Sequence, residues 1–133
     1  MNDLVSSIKK HEGLRLKPYK CSAGKLTIGY GRNLDDIGIS RSEANDLLLE
    51  DIKRAQDAAS QFNWWRNLDG KRQDVVVEMI FNLGLPRFLQ FKKAIQALRD
   101  QDYDEAADQM LDSKWAKQVG KRAVTLADKM RFD

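Results

Sequence analysis

The chain has 133 residues, 42% hydrophobic and 32% charged, with a formal net charge of +3. That balance describes a single globular domain able to bury a core; it excludes a disordered chain, and no run approaches the ~18 apolar residues of a membrane-spanning helix. One cysteine and one histidine exclude an internal disulfide and a zinc site.

In chain order, Asn2 is placed to cap a helix over 3–12, with Leu4, Val5, Ile8 and Glu12 at helical spacing and Gly13 ending it. Glu12 is expected at the edge of the buried face. A carboxylate at a helix C-terminus has the wrong sign for the dipole, so stability alone does not select it there. Residues 1–10 lack the apolar core of a signal peptide, which points to a chain made and folded in a cytoplasm.

Leu14 and Leu16 alternate with Arg15 and Lys17, and Pro18 confines this run to a short edge strand. Ser22 to Lys25 carry turn chemistry. Leu26 to Gly31 read as an alternating strand, with Leu26, Ile28 and Tyr30 on one face and Thr27, Gly29 and Gly31 on the other. A face of one hydroxyl and two glycines lets a ligand approach the backbone; the alternative is that the glycines only bend a small sheet.

Ser40-Arg41-Ser42-Glu43 has the form of a capping box and opens a long helix, about 41–62, with Ala44, Leu47, Leu48, Ile52, Ala55, Ala59 and Phe62 in its stripe. Asp69 is placed to cap a helix holding Val75, Val76, Val77, Met79, Ile80, Phe81 and Leu83, apolar on nearly all sides and closed by Gly84 and Pro86. Phe88, Phe91, Ile95 and Leu98 predict one amphipathic helix. Asp104 begins another leading to Trp115, and Gly120 precedes a last one with Ala123, Leu126, Ala127 and Met130. The plan is one β hairpin followed by five or six helices.

No phosphate-binding loop, dinucleotide fingerprint, metal-binding helix or serine nucleophile elbow is present. A histidine-based mechanism would have to use His11, which adjoins Glu12 in sequence but does not face it on a helix; a solvated surface histidine is the simpler account. Carboxylate chemistry remains. Glycoside hydrolysis needs a protonated acid at the leaving oxygen and a second group across the sugar ring. A carboxyl beside apolar neighbours keeps its proton to higher pH, because desolvation disfavours its ionised form. Glu12 suits the acid role; the bland alternative is a solvated helix-terminal glutamate.

Glu12-Gly13, Tyr19, Gly24 and Thr27-Ile28-Gly29-Tyr30-Gly31 together resemble the active-site signature of phage endolysins, the muramidases of tailed bacteriophages, of the glycoside hydrolase family twenty-four type. The similarity continues through Ser42-Glu43-Ala44, Met79 to Gly84, Phe88, and Trp115 with the basic stretch after it, although the link from strand to long helix is shorter than in larger members. The resemblance implies a mainly helical α+β lysozyme-like fold. A small antiparallel hairpin lobe (about 14–40) and a helical lobe (about 63–133, with helix 3–12) would be joined by the long helix, with the cleft between them. It implies hydrolysis of the β-1,4 bond between N-acetylmuramic acid and N-acetylglucosamine in peptidoglycan. Glu12 would be the general acid and Thr27 would help place the water, with Gly29 beside it admitting the sugar. Arg122 would pair with the catalytic glutamate, and Asn82 would line the sugar subsites. No cofactor or metal is implied. A monomer waiting in the host cytoplasm, with a holin to open the membrane, is what the resemblance suggests.

Cys21 stands where many relatives have aspartate and some have cysteine; Arg32 stands where histidine is common, a change expected to alter a structural contact more than the chemistry. Cys21 could take the aspartate's role as nucleophile or base, its thiol pKa lowered by Lys17, Lys20 and Lys25, or be a spectator. A third account gives the missing carboxylate to Asp35 or Asp36. Three further readings stand beside hydrolysis. A lytic transglycosylase would cut the same bond with one acid, and an inactive wall-binding homologue would keep the fold without the chemistry. A nucleic-acid binder is disfavoured, because no helix carries a lysine and arginine stripe and Trp64, Trp65 and Trp115 sit next to apolar residues.

Overall fold

The computed structural model describes residues 2–132, which form two compact units dividing between Leu47 and Leu48. The first unit opens with α1 (Asn2–Glu12), closed where Gly13 turns to a φ of 73° and donates its N–H to Lys9 O at 3.0 Å. No residue of α1 is buried, and Leu4, Val5 and Ile8 are all exposed. The expected position of Glu12 on the edge of a buried face is therefore corrected. α1 meets the rest of its unit through its last turn, where Lys9 lies over the Tyr30 ring at 5.3 Å and Glu12 meets Gly31.

Three short antiparallel strands follow in the order β1 (Arg15–Lys20), β2 (Leu26–Gly29), β3 (Arg32–Asn33). Tyr19 pairs with Thr27, and Thr27 in turn with Asn33. Pro18 lies in the edge strand, where a missing N–H costs the ladder nothing. The β1–β2 turn is closed by Cys21 N–H to Lys25 O (2.9 Å) and Gly24 N–H to Cys21 O (2.8 Å). The strand expected to run to Gly31 stops at Gly29: both glycines take positive φ, 72° and 92°, so the chain turns and a third strand forms. The alternation of faces consequently ends before Tyr30.

α2 (Arg41–Ala59) starts on a reciprocal capping box: Glu43 N–H donates to Ser40 Oγ (3.1 Å) and Ser40 N–H to Glu43 Oε1 (2.9 Å). It ends at Ala59 rather than Phe62. Gln61 and Phe62 donate three residues back, to Ala58 O and Ala59 O, tightening the chain so that Phe62 stacks on Trp64 at 4.6 Å.

In the second unit a 3-10 turn (Trp65–Asn67) precedes α3 (Gly70–Leu83), α4 (Leu85–Phe88), α5 (Lys92–Arg99), α6 (Tyr103–Leu111), α7 (Lys114–Val119) and α8 (Lys121–Arg131). Seven α-helices thus follow the sheet among the described residues, more than the five or six expected. The single helix predicted from Phe88 to Leu98 is two, separated so that Phe88 and Phe91 stack at 6.4 Å. Asp102, not Asp104, caps α6, accepting from Glu105 N–H at 3.2 Å. Asp69 occupies the N-cap of α3, but its carboxylate meets Arg72 at 3.3 Å instead of the helix N–H groups.

The core of this unit gathers Trp64, Val75, Val76, Met79, Phe88, Met110, Trp115 and Met130, all buried; Phe81, expected with them, is exposed. Arg72 is buried as well. It donates to Met130 O (2.6 Å) and Arg131 O (3.2 Å), satisfying carbonyls at the end of α8, and stands over the Tyr103 ring. The architecture is the mainly helical α+β class that the sequence predicts, with a three-stranded sheet in place of a simple hairpin.

Candidate active site

Glu12 hangs from the last residue of α1 over the loop that ends β2. A Cβ built on Gly31 would lie 3.0 Å from Glu12 Oε2 and 3.3 Å from its Cδ. That is tighter than most real Cβ contacts, and the φ of 92° would strain any other residue, so glycine suits this close approach of backbone to carboxylate. Gly29 differs: nothing lies within 4 Å of where its Cβ would be, which leaves open space beside β2.

Thr27 is 4% exposed, paired on both edges of its strand, and donates its hydroxyl to Lys25 O at 2.9 Å. The thiol of half-buried Cys21 lies at the same turn, its pKa held below the ordinary value chiefly by hydrogen bonding from the Lys25 and Ala23 backbone, against desolvation, with the Thr27 hydroxyl contributing less. Thr27 has one hydroxyl proton, and the geometry gives it to Lys25 O; the turn backbone is thus the main cause. The expected influence of Lys25 on the thiol is present, but it acts through the peptide group.

The carboxylates considered as substitutes are engaged elsewhere. Asp35 accepts from Leu26 N–H at 2.7 Å, and Asp36 from Lys25 Nζ at 3.2 Å and Asn33 Nδ2 at 3.0 Å. His11 is exposed and touches Ser7 Oγ at 3.4 Å. Arg32 makes a new contact: its guanidinium donates to both carboxylate oxygens of Glu43 (2.8 and 2.7 Å) and to Gly38 O (3.1 Å). That pair pulls the Glu43 carboxyl down to about 2.

In the helical unit, Asn82 is exposed and its Oδ1 accepts from the Trp115 indole N–H at 2.7 Å. Trp115 also lines a groove of about 460 Å³, together with the cations Arg87, Lys92, Lys93 and Lys114 and the carboxylate Asp112. Arg122 donates Nε to Glu78 at 2.9 Å, a partner that no local pattern pointed to across 44 positions. The site residues thus fall in two groups, with Glu12, Cys21, Thr27 and Gly29 in the first unit and Asn82 and Arg122 in the second. Among the described residues, no group of three or more histidine, cysteine or acidic side chains is arranged to hold a metal ion. The first group offers a carboxyl, a buried hydroxyl and an acidified thiol beside open space. That set suits proton transfer or nucleophilic attack.

The family model described as phage lysozyme matches residues 9–131. The chain is 34% identical to the endolysin of Acyrthosiphon pisum secondary endosymbiont phage 1, over 86% of this chain and 80% of that protein. It is 30% identical to the endolysin of Salmonella phage P22 (80% of this chain, 77% of that one). It is also 27% identical to probable T4-type lysozyme 2 of Dictyostelium discoideum (92% and 90%).

Proposed function

This chain belongs to the phage lysozyme family, and from that premise we propose that it hydrolyses the β-1,4 bond between N-acetylmuramic acid and N-acetylglucosamine in peptidoglycan, with Glu12 as general acid. The observation that carries the assignment of Glu12 is its carboxylate lying against the Gly31 backbone, beside the strand that bears Thr27. Glu12 is exposed, yet its carboxylate comes so near the Gly31 backbone that a side chain there would crowd it.

In this reading Glu12 protonates the leaving glycosidic oxygen while the opposite face of the sugar is attacked. Thr27, with its hydroxyl directed by Lys25 O, helps place the water, and the space beside Gly29 takes the sugar ring. Cys21 stands in for the aspartate of many relatives: a thiol acidified by its turn is better able to act as base or nucleophile than an ordinary one. Asn82 lines the sugar subsites; Arg122, expected to pair with the catalytic glutamate, bonds Glu78 within the helical unit. The net positive lining of the groove beside Trp115 suits an anionic wall polymer. The enzyme acts as a monomer and waits in the host cytoplasm until a holin opens the membrane.

Digestion of purified peptidoglycan tests this. Wild type should release products ending in reducing muramic acid, and Glu12→Gln should release none while keeping its circular dichroism spectrum. Anhydromuramic products would convert the reading to a lytic transglycosylase, and an inert wild type to a wall-binding homologue.

A further inference from the structure

We propose that Arg32 is a positioning residue for Glu12, acting through the Gly31 backbone that it clamps to the first turn of α2. The proposal rests on the reading of Glu12 as the acid.

Gly31 is the wall against which the Glu12 carboxylate lies, and it closes a turn that two glycines leave soft: φ is 72° at Gly29 and 92° at Gly31. The next residue removes that softness. Arg32 pairs with Ile28 across the sheet, and its guanidinium grips Glu43 with two hydrogen bonds and Gly38 O with a third. Glu43 is itself fixed, because it accepts from Ser40 N–H while its own N–H donates to Ser40 Oγ. The loop wall is therefore referred to a capped helix terminus rather than to a mobile side chain.

A purely stabilising role accounts poorly for this geometry. The two side chains are 37% and 43% exposed, and exposed ion pairs stabilise little. What a planar bidentate pair does well is fix direction. The Glu43 carboxyl, held down to about 2 by Arg32, stays ionised at any pH near neutrality, so the clamp is closed whenever the enzyme works.

The test compares wild type, Arg32→Ala, Arg32→Lys, Glu43→Gln and Glu12→Gln on purified peptidoglycan, each well below its own melting temperature. The ¹³C resonance of the Glu12 carboxyl and the Gly31 amide signal are followed in parallel. Misplacement of a catalytic group by about 1 Å costs on the order of 10²-fold. Arg32→Ala and Glu43→Gln should therefore lose kcat by roughly 10 to 10²-fold with KM nearly unchanged. Arg32→Lys should fall between, and the Glu12 and Gly31 signals should move in all three. Should Arg32→Ala fail to fold, the rate and resonances of Arg32→Lys decide. Full kcat in a folded Arg32 variant, or an unmoved Glu12 resonance, overturns the proposal while an inactive Glu12→Gln leaves the acid assignment standing. An active Glu12→Gln removes both.

Discussion

The two units of this chain are held in shape by different forces. Every buried hydrophobic residue among those described, from Ala55 to Met130, lies in the helical unit. In the hairpin unit the one buried residue among those described is Thr27, and shape comes from turn hydrogen bonds, glycines at positive φ and the Arg32–Glu43 pair. Apolar burial is strong but non-directional, whereas hydrogen bonds are individually weak and directional. The difference teaches where aim and where stability reside. Glu12, Thr27 and Cys21 are in the unit whose interactions can point an atom, and the unit with the core supplies folding free energy.

The largest effect is expected at Glu12. Glu12→Gln should abolish measurable peptidoglycan hydrolysis, a loss at the upper end of the roughly 10²- to 10⁴-fold of a lost general acid, with no change in melting. A variant that lost stability instead would put Glu12 in a structural role. Phe88→Ala is the converse, since this 2%-exposed ring packs at a tilt on Phe62 and stacks with Phe91. Urea denaturation should show a loss of about 3–5 kcal/mol, while the rate per folded molecule holds. Ser40→Ala removes the hydroxyl that accepts from Glu43 N–H, and should cost about 1 kcal/mol of stability by thermal melting.

Smaller effects depend on pH. The Glu43 carboxyl is at about 2 when folded, against an ordinary 4.5, so its contribution to stability is complete above about 4.5 and lost as pH falls towards 2. The stability difference between wild type and Glu43→Gln should accordingly be flat near neutrality and shrink through that acid window; a constant difference would mean the carboxylate is not the group involved. For Cys21, the pH midpoint of iodoacetamide alkylation should lie below that of an ordinary thiol. Thr27→Val should raise that midpoint only slightly, because the Lys25 and Ala23 backbone remains in place.

Local signals are readable where the cause is local. The capping box at Ser40 and Glu43, the glycine stops at Gly13 and Gly120, and the edge position of Pro18 each depend on a few neighbouring residues. Helix limits differ from expectation where a distant partner intervenes: Phe62 leaves α2 to stack on Trp64, and the stacking of Phe88 on Phe91 breaks a single expected helix in two. Arg72 could not be recognised as buried, since its acceptors on Met130 and Arg131 lie 58 and 59 positions away. At the site, Glu12 stands out because its charge opposes the helix dipole, and the glycines near Thr27 announce a close approach. What approaches Gly31 is the Glu12 side chain, which alternation along a strand could not show.

By itself the sequence determined the α+β class, the capped long helix and the candidacy of Glu12, Thr27 and Cys21, because periodicity, capping and motif spacing are properties of neighbouring residues. Tertiary structure alone decided that Arg32 reaches Glu43, that Arg122 meets Glu78, and that peptide groups set the Cys21 thiol. Those contacts depend on where the chain returns in space, and side chains long enough to choose among several partners choose by proximity.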